Sequence, residues 1–108
     1  MVMTPEQVFG VTLVGTGTAN SASYTALPGD VVLVTTGSAG FTVNLPVLPQ
    51  NSVRVRKIDS GAGAVTVKTT DSSTIDGVAG SSGVSISSQH SGYLFASVNG
   101  STTAWYTI

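Results

Sequence analysis

Apolar and polar residues alternate with a period of two along most of this chain. In SVRVRKI, residues 52–58, Val53 and Val55 fall on one face and Arg54 and Arg56 on the other. In GAVTVKT, residues 63–69, Val65 and Val67 oppose Thr66 and Lys68. This period puts successive side chains on opposite sides of an extended backbone and marks half-buried strands. The same reading predicts strands near 11–15, 22–26, 31–35, 40–45, 84–88, 92–98 and 102–107, rich in the Val, Thr and Ile that sheets favour.

Turn residues separate the runs. Pro28-Gly29-Asp30 reads as a tight turn, with Pro28 fixing φ and Gly29 supplying a positive φ. Asn99-Gly100 reads as a hairpin and GAG, 61–63, as a short link. LPVLPQN, 45–51, carries two prolines and reads as an extended crossover rather than a paired inner strand. VTLVGTGTA (11–19) and VVLVTTGSA (31–39) echo each other twenty residues apart. Without a third copy they read as two similar strand–turn units, not as a solenoid. TPEQVFG, 4–10, offers Thr4 as a cap, Pro5 at the first helical position, Gln7 at the capping-box position and Gly10 as a stop. It fits either a helix of about two turns or an extended arm. The expected fold is all-β, an antiparallel β-sandwich or barrel-like domain, with that arm or helix in front.

Composition changes this picture in one respect. Only 8% of the 108 residues are charged and the net charge is −1, against about 25% charged in an ordinary soluble domain. So few charges give little repulsion between copies. Thirty serines and threonines supply a neutral polar coat, and the rest of the surface suits a homo-oligomer. There is no cysteine, which excludes disulfides and thiolate metal sites. The longest run of Val, Leu and Ile is VVLV, 31–34, far short of a membrane span. MVMTPEQ has neither the basic region nor the apolar core of a signal peptide. Four basic residues are too few for a phosphate-binding field, so no nucleic-acid partner is expected.

Candidate chemistry is sparse. TTDSSTIDGVAGSSG, 69–83, holds Asp71 and Asp76. It lacks the alternating oxygen ligands and closing Glu of a calcium loop, and it reads as a turn in which Asp76 bonds locally and Gly77 takes a positive φ. An ion site of Asp71, Ser73 and Asp76 is the weaker alternative. Two catalytic carboxylates would have to flank a cleft, and the single glutamate, Glu6, lies in the N-terminal segment. His90 is the one histidine, there is no G-x-S-x-G elbow, and it reads as an exposed turn residue. GTGT (15–18) and GAGAV (61–65) lack the third glycine and following helix of a nucleotide loop. Arg54 and Arg56 share a strand face, either solvated or set against acidic side chains of a neighbouring copy. Tyr93 and Phe95 share another, core-like face. Trp105 is a core candidate and Tyr106 must point the opposite way. No cofactor, metal or catalytic residue is expected.

From about residue 24 onward, several short motifs follow one another in a recognisable order. They are Leu45-Pro46, Lys57-Ile58-Asp59, Val65-Thr66-Val67, Thr74-Ile75-Asp76-Gly77, and Asn99-Gly100 through Trp105-Tyr106. This series resembles the small β-domains of tailed-bacteriophage head-decoration, head-fibre and tail-fibre proteins. PQNS stands where that family commonly has a glycine before the basic strand, and residues 1–22 lie outside the likeness. The resemblance implies a homotrimeric, non-enzymatic part of a virion. Read as a complete product beginning at Met1, the chain leaves no room for a fibre shaft, which favours a stand-alone capsid decoration, or cement, protein. It would assemble in the host cytoplasm and bind the major capsid protein on the outer shell, with no membrane partner. Residues 1–22 would face the capsid, with Met1, Val2, Met3, Val8 and Phe9 as apolar contacts, and residues 23–108 would form the trimerising domain. The alternative is a tail-fibre or receptor-binding module that stacks Tyr24, Trp105 or Tyr106 on host glycans.

Overall fold

The computed structural model describes residues 7–8 (backbone only), 11–18, 21–46, 52–97 and 104–108. Twelve strands run through them: β1 (Gln7–Val8), β2 (Val11–Gly15), β3 (Ser23–Thr25), β4 (Val31–Thr35), β5 (Phe41–Asn44), β6 (Ser52–Lys57), β7 (Val65–Lys68), β8 (Thr74–Ile75), β9 (Val78–Ala79), β10 (Val84–Ile86), β11 (Gly92–Ser97) and β12 (Ala104–Thr107). A single 3-10 turn, Gly80–Ser82, is the only helical element among the described residues. The fold is all-β, and nine of these strands lie where the alternation places them.

Their pairing differs from the expected antiparallel arrangement: both sheets are mixed. β2, β4 and β6 run parallel side by side in an eight-stranded sheet ordered β1-β2-β4-β6-β11-β12-β8-β9. β3, β5 and β7 run parallel in a four-stranded sheet ordered β10-β7-β5-β3. Parallel neighbours need a crossover between them, and here each crossover is itself a strand of the other sheet. The chain from β2 to β7 therefore winds as a coil that delivers one strand to each sheet per turn. The echo at 11–19 and 31–39 is the sequence trace of that coil. Val11 lies opposite Val31 and Gly15 opposite Thr35, so the two copies stack residue on residue. The next turn is longer, with Val31 opposite Arg54, and this extra length together with the arginines hides the third copy from a sequence comparison.

Antiparallel strands close the stack. β1 lies on β2, β10 on β7, and β11 on β6, with β12 beyond β11. Gln7–Val8 is thus extended, as the arm reading has it; residues 4–6, 9 and 10 lie outside the described residues, as do the Asn99-Gly100 turn and most of the 45–51 crossover.

Inward-facing side chains of both sheets form one core cluster. Val14, Val32, Val34, Val53, Val55, Phe95 and Trp105 come from the larger sheet, and Phe41, Val43, Val65, Val67 and Ile86 from the smaller. Most are valines with no exposed surface, and each full burial contributes about 1.5–3 kcal/mol of transfer free energy. At one end, Pro28-Gly29 forms the predicted turn: Gly29 has φ 79° and Asp30 N–H donates to Leu27 O at 3.0 Å. At the other, the corners following β4 and β6 are fastened to each other. Lys57, in the same facing row as Val53 and Val55, is fully buried. Its ammonium donates to Asp59 O (2.6 Å), Asp59 Oδ1 (3.0 Å) and Gly61 O (2.9 Å), which uses all three of its donors. Asp59 in turn accepts from Thr36 N (3.1 Å), Gly37 N (3.0 Å) and Thr36 Oγ1 (3.2 Å). Burial alone would push this carboxyl up, but the Lys57 hydrogen bond and the two backbone amides outweigh it and hold its pKa well below the usual carboxylate range.

Candidate functional site

The outward face of the eight-stranded sheet carries the features of a contact surface. β2 and β4 turn Val14, Val32 and Val34 into the core and leave Val11, Leu13, Val31 and Leu33 half-buried on the other side. The register sets Val11 beside Val31 and Leu13 beside Leu33, so the four make one aliphatic wing. A sheet face left to water usually carries polar residues, and a contiguous apolar patch marks an interaction surface. Next to the wing, β6 presents Arg54 and Arg56, opposite Val31 and Leu33. Beyond β6 lie Leu94, opposite Arg54, and Gly92, opposite Arg56. The far side ends in Tyr106, 46% exposed, and Ile108, 78% exposed.

An open groove runs where β6, β11 and the turn at 88–91 meet. One part, about 250 Å³, is lined by Arg54, Val55, Arg56, His90, Gly92 and Tyr93. The other part, about 460 Å³, shares His90, Gly92 and Tyr93 and adds Ser85, Ile86, Ser87, Ser88 and Ser91; it lies on the core-facing side of β11, where Tyr93 points with Phe95, away from the face of Arg54 and Arg56. The turn is fastened to the end of β6. His90 N donates to Lys57 O (2.7 Å), Lys57 N to Ser91 O (2.9 Å), Ser91 N to Ser88 O (3.1 Å) and Gln89 Nε2 to Ile58 O (3.3 Å). His90 sits at φ 64°, a left-handed conformation that costs a side-chain-bearing residue roughly 1–2 kcal/mol and that these bonds hold in place. Gly92 allows the close strand approach beside Arg56: a Cβ there would lie 2.1 Å from Val55 O.

The charges of this face are uncompensated within the described residues. Asp59 pairs with Lys57. Asp30 accepts from Thr12 Oγ1 (3.1 Å), Tyr24 OH (2.6 Å) and Leu27 N (3.2 Å). Asp71 accepts from Ser73 N (3.0 Å) and from the Ser73 hydroxyl. Asp76 accepts from Thr107 N (3.0 Å) and Thr107 Oγ1 (2.5 Å). Among the described residues, no carboxylate forms an ion pair with Arg54 or Arg56.

These contacts also place the other candidates. Asp76 and Gly77, at φ 52° and 82°, form the two-residue turn between β8 and β9, the geometry that favours Asp-Gly in hairpins. The sequence predicts a local bond for the Asp76 carboxylate; instead it holds the last strand through Thr107, and those two bonds lower its pKa. Asp71 and Asp76 thus serve different partners, and no group of three His, Asp or Glu that could hold a metal occurs among the described residues. His90 is an exposed turn residue, as expected. Phe95 and Trp105 are buried, while Tyr93, edge-on to Phe95 at 6.0 Å, is 39% exposed. Among the described residues, the Trp105 indole N–H has no hydrogen-bond partner. Of the three aromatics considered for glycan stacking, Trp105 is enclosed and Tyr24 bonds to Asp30, which leaves Tyr106 exposed. Met1, Val2, Met3 and Phe9, with the Val8 side chain, lie outside the described residues.

Comparison of the chain with protein-family models, with curated proteins and with solved structures returned no match. The Lys57–Asp59 clamp and the groove are what sequence reasoning missed. Alternation did carry a signal for the first, since Val53, Val55 and Lys57 share one face. The groove depends on which strand lies beside β6, and local pattern says nothing of that.

Proposed function

We propose that this chain is a structural, non-catalytic virion protein of a tailed bacteriophage, a capsid decoration protein that binds the outer shell as a homotrimer and stabilises contacts between capsomers. The observation that carries the reading is the aliphatic wing of Val11, Leu13, Val31 and Leu33 on an outward sheet face, in a chain with 8% charged residues. Such a patch gains free energy when a copy covers it, at about 25 cal/mol per Å² of apolar area removed from water. Low charge leaves little to oppose that association. The order of motifs from Leu45-Pro46 to Trp105-Tyr106 supports the phage assignment, and two sheets sharing one core support the sandwich-like description. The function is mechanical: many small apolar contacts, repeated over a lattice, resist outward pressure on the shell. The N-terminal residues Met1, Val2, Met3, Val8 and Phe9 are the capsid-facing contacts in this reading.

Two measurements test it. Sedimentation at micromolar concentration is expected to give three times the 10.8 kDa chain mass, and Leu13→Glu, which places a charge in the wing one strand away from the neighbour of Arg56, is expected to give the single chain while remaining folded. A 10.8 kDa species for the unmodified protein would refute the trimer. Deleting residues 1–9 is expected to abolish binding to undecorated capsids and leave the trimer intact; unchanged capsid binding would refute the N-terminal contact.

A further inference from the structure

Given the homotrimer proposed above, on which this contact depends, we propose that the ring closes head to tail: the Val11, Leu13, Val31 and Leu33 wing of one copy covers a second apolar patch on the next. The second patch lies on the same outward face of the eight-stranded sheet, across β11 and β12. Leu94 and Ile108 lie opposite each other through reciprocal backbone bonds, Ile108 N to Leu94 O (2.9 Å) and Leu94 N to Ile108 O (3.4 Å). Ala96 lies opposite Tyr106. Phe95 and Trp105 are buried in the core, so strand alternation turns Leu94, Ala96, Tyr106 and Ile108 outward together. Leu94 and Ala96 are half-buried. Ile108 is the most exposed large apolar side chain among the described residues, at 78%.

A threefold ring needs two different surfaces on each copy, because its contacts are heterologous. This chain supplies two, and Arg54 and Arg56 of β6 form a stripe between them. Neighbouring strands in a sheet rotate by about 20–25°. Four steps lead from β2 through β4, β6 and β11 to β12, which turns the two patches roughly 80–100° apart. Patches that look in such different directions meet two neighbours rather than one flat partner.

The arginine stripe adds a repulsive element. Two copies stacked face to face about a twofold axis through β6 would set arginine against arginine, and like charges oppose that pairing. Contact between flanks keeps the stripe out of the seam. None of the eight patch residues is charged, so no charge opposes the joining of wing to second patch. Each copy in the ring is held through both patches, and two linked contacts hold far more tightly than either alone.

The chain has no cysteine, so introduced thiols report contacts without background. Ala104 shares the outward face of β12 with Tyr106, and Val11→Cys and Ala104→Cys change little in size. Each single variant and the double variant are treated with a short bismaleimide and separated by mass after denaturation. Within one chain the two positions stand four strand spacings apart, about 19 Å, beyond the reach of the reagent. The double variant is expected to give covalent trimers. Each single variant is expected to give separate chains, since no wing meets a wing and no second patch meets another. Tyr106→Glu, in a row with Ala96 and Ser52 rather than with the arginines, is expected to stay folded and to sediment as the single chain. Cross-linked dimers from Val11→Cys alone would overturn the head-to-tail contact. So would a protein that sediments as a trimer while the double variant stays uncross-linked or Tyr106→Glu stays assembled. A parent protein that sediments as a 10.8 kDa species would overturn the trimer itself and this contact with it, which separates the two failures.

Discussion

Replacing Lys57 by Met is the sharpest test of how the coil is held together. Methionine keeps most of the volume and the apolar stem but deletes the ammonium. Three hydrogen bonds are lost: the carbonyls of Asp59 and Gly61 lose the ammonium as donor, and Asp59 Oδ1 keeps only its bonds from Thr36. Breaking a buried ion pair by removing one partner costs about 3–5 kcal/mol. Asp59 is still 25% exposed and water screens part of the loss, so the low end applies, about 3 kcal/mol. Against a total stability of about 5–15 kcal/mol for a domain of this kind, that is a large share. At about 4–8 °C per kcal/mol it corresponds to a fall in Tm of roughly 12–24 °C. The assay is thermal and urea unfolding of Lys57→Met, Asp59→Asn and the double variant at equal chain concentration, because self-association makes apparent stability concentration-dependent. The double variant is expected to be more stable than the sum of the single losses predicts, with a coupling of at least about 1.5 kcal/mol. A loss under about 1 kcal/mol for Lys57→Met, or zero coupling, would refute the clamp as a stabilising unit.

Acid should act through the same corner. The Asp59 carboxyl has a folded pKa below its unfolded value, so unfolding takes up a proton. Its stabilisation is complete above the ordinary carboxylate value of about 4 and is lost as pH falls below it. The unfolding midpoint is therefore expected to drop steeply below that pH, and Asp59→Asn to flatten the drop; parallel profiles would contradict it. Tyr24 gives the opposite branch: burial, then its hydrogen bond to Asp30, pushes its pKa up to about 12. Its folded pKa exceeds the unfolded value near 10, so its contribution is complete below that value and is lost as pH rises toward the folded one. Phenolate absorbance should show a late-titrating component that disappears in Tyr24→Phe, a variant expected to lose about 1.5–3 kcal/mol.

Strand positions were legible because period two is a local property. From residue 11 onward, most strand limits fall within two residues of the alternating runs. Direction and partner were not legible, since Val31–Thr35 has the same pattern whether its neighbour runs with it or against it. Short glycine links such as GAG look like hairpin turns, yet here they carry the chain from one sheet to the other. The echo at 11–19 and 31–39 did encode the stacking, and it fades in the next turn because outward positions there are arginines and the crossover is longer. The Asp76-Gly77 turn was readable from two residues; its bond to Thr107, thirty-one residues away, was not. The groove stayed hidden for the same reason, because Arg54 and His90 meet only through the pairing of β6 with β11.

In a coil whose turns touch only their neighbours, the count of turns is a variable of its own. A further turn of about twenty residues placed between β4 and β6 would widen each sheet by one strand spacing, about 4.8 Å, and leave both closing ends unchanged. The aliphatic wing would stay with β2 and β4, while the arginines and the 88–91 turn would move outward with β6 and β11. The distance between the wing and the groove is thus a ruler graduated in strands, adjustable by duplication or deletion without redesigning either surface.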